Sequence, residues 1–330
     1  MTSQESPPQR TQGTLRANLH GFVRRVFRVL SGGELFSSAA LLLLAASPAS
    51  AQMFESVGIR AQGMGGAFVA VADDSTATWW NPAGLASGSF FSAIVERRFA
   101  TEPSEEGTLG MALSVPSLGV SYYRIRLAAA SGTAGTAGEN RQDGVAGTPS
   151  PTFVLNQFGV TVGQSVGNNV VLASTLKLIR ADQLKGDLDI GMLVRVGSGR
   201  FGITVKHLHP PDLTTENIPI DLARQVRVGG AYAPAAQGAI GVVLAADADL
   251  TRLPTAQGDV KRAAGGAELW VRKRLGVRGG ISAHTIGERR TAYSGGASVA
   301  VQKGTFLDAQ VTRGDDEAKR GWGVDLRLTF

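Results

Sequence analysis

The chain has no cysteine, few aromatic residues, few charges and a single long hydrophobic run. Without cysteine there are no disulfides, thiolate metal sites or thiol nucleophiles, and no cysteine to carry a lipid at the start of a mature chain. Charged residues fill only 18% of the 330 positions, low for a surface that faces water on every side. A bundle of membrane helices is excluded as well. Mean hydropathy is only +0.03, and the one apolar run is too short for a spanning helix. A transmembrane barrel fits these scarcities, because alternation along its strands dilutes its apolar residues with polar ones.

Aromatics make up 6% of the chain, and no basic patch interleaved with aromatics is present, so nucleic acid is not an expected partner despite a net charge of +6. Half of that charge belongs to residues 1–51, which carry five Arg and two Glu. There Arg24, Arg25 and Arg28 precede the run FSSAALLLLAASPASA at 36–51. A positive flank, a short apolar core and Ala49-Ser50-Ala51 predict a secretory signal peptide over 1–51, cleaved before Gln52.

What is abundant is glycine, with 43 residues. It is densest in GIRAQGMGGAFVAVADDSTATWWNPAGLA, where Gly58, Gly63, Gly65 and Gly66 permit positive φ and close backbone approach. Ala67 to Ala72 reads as one short buried strand. Asn81-Pro82-Ala83-Gly84 reads as one helical turn, with Asn as N-cap, Pro at the first position and Gly ending it. GMGG lacks the Lys-Ser/Thr of a phosphate loop and any surrounding βαβ unit. Asp73 and Asp74 have no His or further carboxylate nearby in sequence, so no metal site and no cofactor are expected.

This stretch resembles the N-terminal signature of the FadL and PorV group of outer-membrane proteins. The match is carried by Gly63, Gly65 and Gly66, by Ala72-Asp73-Asp74, and by Asn81-Pro82-Ala83-Gly84. The resemblance implies a fourteen-stranded barrel with the segment at 52–88 folded inside as a hatch. In FadL-type members it implies passage of hydrophobic compounds, and in PorV-like members a role in protein secretion.

From residue 89 to the end the period is two. Trp322, Val324, Leu326, Leu328 and Phe330 share one face, and Gly323, Asp325, Arg327 and Thr329 the other. The first face suits lipid and the second a polar lumen, since a charge facing lipid at mid-membrane costs about 2–4 kcal/mol. Leu188 to Val196 and Leu275 to Ile281 repeat the pattern. Inward glycines such as Gly229, Gly276 and Gly280 are expected to leave room inside. The spacing predicts an all-β fold, a transmembrane antiparallel barrel of about fourteen strands over 89–330: 90–98, 108–115, 118–128, 152–165, 170–181, 188–196, 200–209, 224–232, 239–249, 262–272, 275–284, 291–302, 305–313 and 321–330. Tight connections at 116–117, 167–169, 197–199, 273–274 and 303–304 alternate with longer ones at 129–151, 210–223 and 314–320. Outer-membrane barrels have short periplasmic turns and longer outer loops, so both barrel ends fall on the periplasmic side.

His207 and His209 lack further ligands in sequence and read as rim residues, as does His284. No catalytic triad or carboxylate pair stands in a recognisable context, so an enzyme is not expected. The expected partners are outer-membrane lipid, the barrel-assembly machinery reading Trp322, Leu326, Leu328 and Phe330, and either hydrophobic small molecules or a secreted protein. The expected function is a passive channel for small hydrophobic molecules in the outer membrane of a Gram-negative-type bacterium. The alternative is a PorV-like barrel in protein secretion or surface-protein anchoring, or a structural outer-membrane protein. Arg195, Arg278 and Arg327 are the candidate partners for Asp73 and Asp74 inside the barrel.

Overall fold

A computed structural model describes residues 57–101, 107–128, 152–215, 218–254, 258–315 and 319–330. The signal peptide expected over 1–51 and the loop at 129–151 lie outside the described residues.

Fourteen antiparallel strands form one closed barrel. They are β1 (Ser92–Ala100), β2 (Gly107–Val115), β3 (Leu118–Ala128), β4 (Thr152–Val166), β5 (Val170–Arg180), β6 (Leu184–Val196), β7 (Gly199–Lys206), β10 (Gln225–Tyr232), β11 (Ile240–Asp249), β12 (Lys261–Val271), β13 (Leu275–Ile286), β14 (Thr291–Gln302), β15 (Thr305–Gly314) and β16 (Gly321–Thr329). Each pairs with its sequence neighbour in the wall, and β1 closes on β16 from Ser92 opposite Thr329 to Ala100 opposite Gly321. Closure leaves no unpaired strand edge, which a bilayer requires because its core offers no water to satisfy backbone groups. Phe91 and Phe330 extend the seam by exchanging two backbone hydrogen bonds of 3.0 and 2.9 Å.

The predicted alternation holds in the wall. Along β16, Gly321, Gly323, Asp325 and Arg327 are buried, while Trp322, Val324 and Leu326 are exposed. Two connections differ from the sequence reading. β6 begins at Leu184, because Leu184 to Asp187 pair with Arg180 to Lys177 and shorten the preceding connection to a tight turn. The stretch at 210–223 holds a separate hairpin of β8 (Asp212–Thr215) and β9 (Ile218–Asp221).

Candidate functional site

The segment at 57–88 is buried almost throughout. It contains a short helix α1 (Ile59–Gly63), a second, α2 (Ala77–Trp80), and a 3-10 helix over Pro82–Ser87. Gly65 and Gly66, at φ +68° and +75°, turn the chain back after α1 into a conformation that L side chains rarely adopt. Ala67 to Ala72 is a run of turns, not the expected strand. The closed wall offers it no free edge, so Phe68 N and Val69 N donate to Asp247 Oδ2 at 2.7 and 2.9 Å, and the N–H groups of Ala67, Val71 and Ala72 donate to nearby backbone carbonyls. Asn81 starts the 3-10 helix, its Oδ1 accepting from Ala83 N at 3.2 Å with Pro82 next in line. The helix runs to Ser87 instead of stopping at Gly84. Gly84 is needed for contact: a Cβ there would lie 2.0 Å from the Ala72 carbonyl oxygen.

The segment lies within the ring of strands and touches all fourteen. Inward glycines are what admit it. A Cβ on Gly280 would lie 2.2 Å from the Met64 carbonyl carbon, one on Gly191 2.2 Å from Asn81 Oδ1, and one on Gly229 3.0 Å from Val69 Cβ. The expectation that Gly229, Gly276 and Gly280 leave room is therefore corrected. The segment fills the space at Gly229 and Gly280, and the Trp270 ring fills it at Gly276. Gly63 packs in the same way on Arg278, and Pro82 on Gly191. Ala83 packs with Val171, Ala173 and Leu193.

Polar groups anchor the segment to the wall. Gly58 N and Ile59 N donate to the Glu96 carboxylate. The Arg262 guanidinium donates to the Gly65 carbonyl. Asn81 Nδ2 donates to Val69 O at 2.8 Å and to Met192 O at 3.2 Å. Asp73 and Asp74 do not meet the expected arginines of the wall. Asp73 pairs with Arg60 of the segment itself at 2.5 Å, with Arg200 at 3.6 Å, and Asp74 accepts from Thr76 N at 2.9 Å with Arg60 3.4 Å away. Arg195 instead donates to the Ala86 carbonyl. Arg60 also forks onto Glu268. Beyond Glu268 the charges alternate across the wall through Arg278, Asp308 and Arg327. Burial opposes the charge on Arg60, but Asp73, Glu268 and Asp74 outweigh it and hold its pKa above the ordinary arginine value.

The expected polar lumen is corrected in part: beside inward Ser121, Gln157, Thr161, Thr175 and Lys177, the interior holds an apolar cluster. Tyr123, Ile125, Leu155 and Ile179 point inward from β3, β4 and β5 and cluster with Trp79 and Phe68 of the segment. Leu213 of β8 and Leu222 just after β9 are buried in the same cluster, so the hairpin reaches down onto it. The only advance signal was the apolar residues at the inward parity of these three strands.

His207 sits beside Asp187 and Asp189 at the end of β7, closer to carboxylates than its sequence neighbourhood suggested. Lys177 Nζ lies 2.6 Å from a carboxylate oxygen of each Asp, so an ammonium already supplies the cation there. Among the C-terminal residues Trp322, Leu326 and Phe330 are exposed and Leu328 is half-buried.

No protein-family model matches the chain, and no curated protein matches its sequence. Solved structures do match. The CymD monoaromatic hydrocarbon channel superposes over 85% of this chain and 99% of its own, with 11% identity and a TM-score of 0.61. The Ralstonia pickettii toluene transporter TbuX covers 84% and 99%, with 12% identity and a TM-score of 0.55. A Pseudomonas aeruginosa FadL homologue covers 86% and 97%, with 9% identity and a TM-score of 0.52. The fold is that of the FadL-type outer-membrane barrels.

Proposed function

We propose that the protein is a passive outer-membrane channel for small hydrophobic molecules, with the segment at 57–88 as its hatch. The observation that carries this reading is the apolar cluster inside the barrel. A pore for hydrophilic solutes has a polar, water-filled interior, whereas here Ile125, Leu155, Ile179, Leu213 and Leu222 cluster with Trp79, whose ring also takes the Lys206 ammonium at 3.9 Å. Ligand sites for small molecules are mostly apolar with a few placed polar groups. The structural likeness to channels named for monoaromatic hydrocarbons and toluene supports the same substrate class. Export by the N-terminal signal and insertion through the assembly machinery belong to this reading.

The test is uptake of a labelled monoaromatic hydrocarbon by cells with a lipopolysaccharide outer leaflet. Expression of the chain should raise the initial rate several-fold, and Leu155→Asp should abolish the gain while folded barrel persists. Equal rates with and without the protein would overturn the channel reading.

A second reading, a PorV-like barrel that holds a protein partner, draws on the closeness of the segment to the wall. Met64 and Asn81 leave no space for even a methyl group at Gly280 and Gly191, which suits a barrel that stays shut. A cysteine at Thr78, which is buried, separates the two. Labelling accelerated by hydrocarbon supports a moving hatch; labelling indifferent to hydrocarbon favours the shut barrel.

A further inference from the structure

Alternation places every odd or every even residue of a wall strand on the outside, so the outward charges can be read strand by strand. Among the described residues they are Arg97 on β1, Arg124 and Arg126 on β3, Arg180 on β5, Lys261 on β12 and Arg313 on β15. All are basic. All lie at the end of the wall opposite Ser92 and Thr329, where the expected topology puts the outer leaflet. A lipid-facing Arg or Lys is costly at the bilayer midplane and nearly free of cost near the interface. These positions are therefore at headgroup level.

The distribution around the barrel is one-sided. The outward faces of β6, β7, β10, β11, β13 and β14 carry no charge at all. Four of the six cations stand on β1, β3 and β5. There the register sets Arg97, Leu109, Arg124, Asn156 and Arg180 side by side on five consecutive strands. With strands about 4.8 Å apart, the three arginines repeat roughly every 10 Å. Arg126 stands one side-chain step beyond Arg124.

Inside the barrel the wall gives its arginines carboxylates: Arg227 has Asp249, and Arg278 and Arg327 have Asp308. Outside it does not. Arg124, Arg126 and Arg180 make no hydrogen bond or ion pair to another described residue. Arg97 lies 5.2 Å over the Phe99 ring, which stacks on Trp322 at 4.4 Å. Tyr122 donates to Asn156 at 2.8 Å within the same patch. Aromatic side chains of this kind sit at the level of the headgroups. A row of mutually repelling guanidiniums with no carboxylate partner among the described residues matches an anion with more than one phosphate, and Arg binds phosphate through two parallel N–H donors.

We infer that the outward face of β1 to β5 is a binding site for a phosphorylated lipid headgroup of the outer leaflet, with Arg97, Arg124, Arg126 and Arg180 as its ligands. The site rests on the reading of the chain as an outer-membrane barrel. It is independent of what passes through the barrel. Its occupant is a lipid and not a soluble anion, because exposed apolar side chains on the same strands, among them Val95, Met111, Val120, Phe158 and Leu178, continue below the arginines to take acyl chains.

The test is native mass spectrometry of the full barrel in non-ionic detergent, titrated with lipid A as a bis-phosphorylated glycolipid. Phosphatidylcholine and inorganic phosphate form parallel arms. A one-to-one lipid A complex is expected, with at least tenfold weaker binding by R124Q/R126Q/R180Q. K261Q, on β12 across the barrel from β3, should stay within twofold of the starting protein. R124K/R126K/R180K, which keeps the charge, should keep most of the affinity, and it carries the test with R124Q alone if the triple Gln variant does not fold. Unchanged lipid A binding in the Gln variants overturns the site. So does an equal loss in K261Q, and so does displacement of lipid A by inorganic phosphate at equal concentration. Failure of the membrane reading has a different signature, namely no heat-modifiable barrel in the outer-membrane fraction.

Discussion

The guanidinium of Arg60 and the carboxylate of Glu268 face each other in two parallel hydrogen bonds, Nε to Oε1 at 2.9 Å and Nη2 to Oε2 at 2.6 Å. One residue belongs to the inner segment and the other to the wall, and both side chains are buried. Removing one partner of a buried ion pair costs roughly 3–5 kcal/mol, because the other charge is left uncompensated. Arg60→Ala leaves Glu268 only the longer contact to Arg278 and Asp73 only that to Arg200, so it should loosen the segment. The wall should stay closed, since strand-to-strand hydrogen bonds hold it independently. Protease cleavage within 57–88 with unchanged heat-modifiable mobility is the expected result. Asp73→Ala with Asp74→Ala should act in the same direction but more weakly, because Arg60 keeps Glu268. Arg60→Lys should fall between, having the charge without the fork.

Gly280 and Gly186 offer a paired test of how the segment is seated. A Cβ on Gly280 would meet the Met64 carbonyl carbon at 2.2 Å, and one on Gly186 would meet nothing within 4 Å. Overpacking costs about 1–3 kcal/mol. Gly280→Ala should displace the segment and raise leakage of small polar solutes from vesicles, while Gly186→Ala should match the starting protein. Equal leakage by both would show that the segment yields without consequence.

The hairpin leucines predict a second barrier. Leu213 and Leu222 are buried against Ile125, Leu155 and Ile179. Leu213→Asp with Leu222→Asp places two carboxylates in that cluster, where burial without partners is unfavourable. The hairpin should lift away, and Trp fluorescence should shift to the red as Trp79 gains water. Hydrocarbon binding should weaken by about a hundredfold or more, as two lost leucines at about 1.5–3 kcal/mol each imply.

Phe330 closes the seam through its backbone, and its ring is 65% exposed. The two roles separate by mutation. Deleting Phe330 removes both the hydrogen bonds to Phe91 and the terminal aromatic, whereas Phe330→Ala removes the ring alone. If the terminal ring is an assembly signal, both variants should lower the amount of heat-modifiable barrel in the outer membrane. Normal insertion of Phe330→Ala would leave the residue a seam role only.

Export predicts a mature chain beginning at Gln52. N-terminal sequencing of membrane-extracted protein checks this. Recovery of the soluble chain with 1–51 attached would contradict it.

The wall was legible because its two environments impose a local rule. Each strand must alternate, so β16 could be read from Trp322 to Arg327 without any knowledge of its neighbours. Turn residues then set the count, and the fourteen expected strands are the fourteen of the barrel. β6 was read four residues short because Leu184 to Asp187 hold Gly186 and two charges, and only pairing with β5 makes them strand. The segment was legible as special but not as a conformation. Glycine content marked it, yet Ala67 to Ala72 has strand composition and no strand edge to join.

Sequence by itself determined which side of the wall each residue faces, since a period of two needs only the residue before and after. The tertiary structure alone decided which inward residues meet. Arg60 and Glu268 are 208 positions apart in the chain, and nothing local to either selects the other over Arg195 or Arg327. The pairing is set by how far the segment turns inside the barrel. That path depends on Gly191, Gly229 and Gly280, on three separate strands, each leaving space that the folded segment fills.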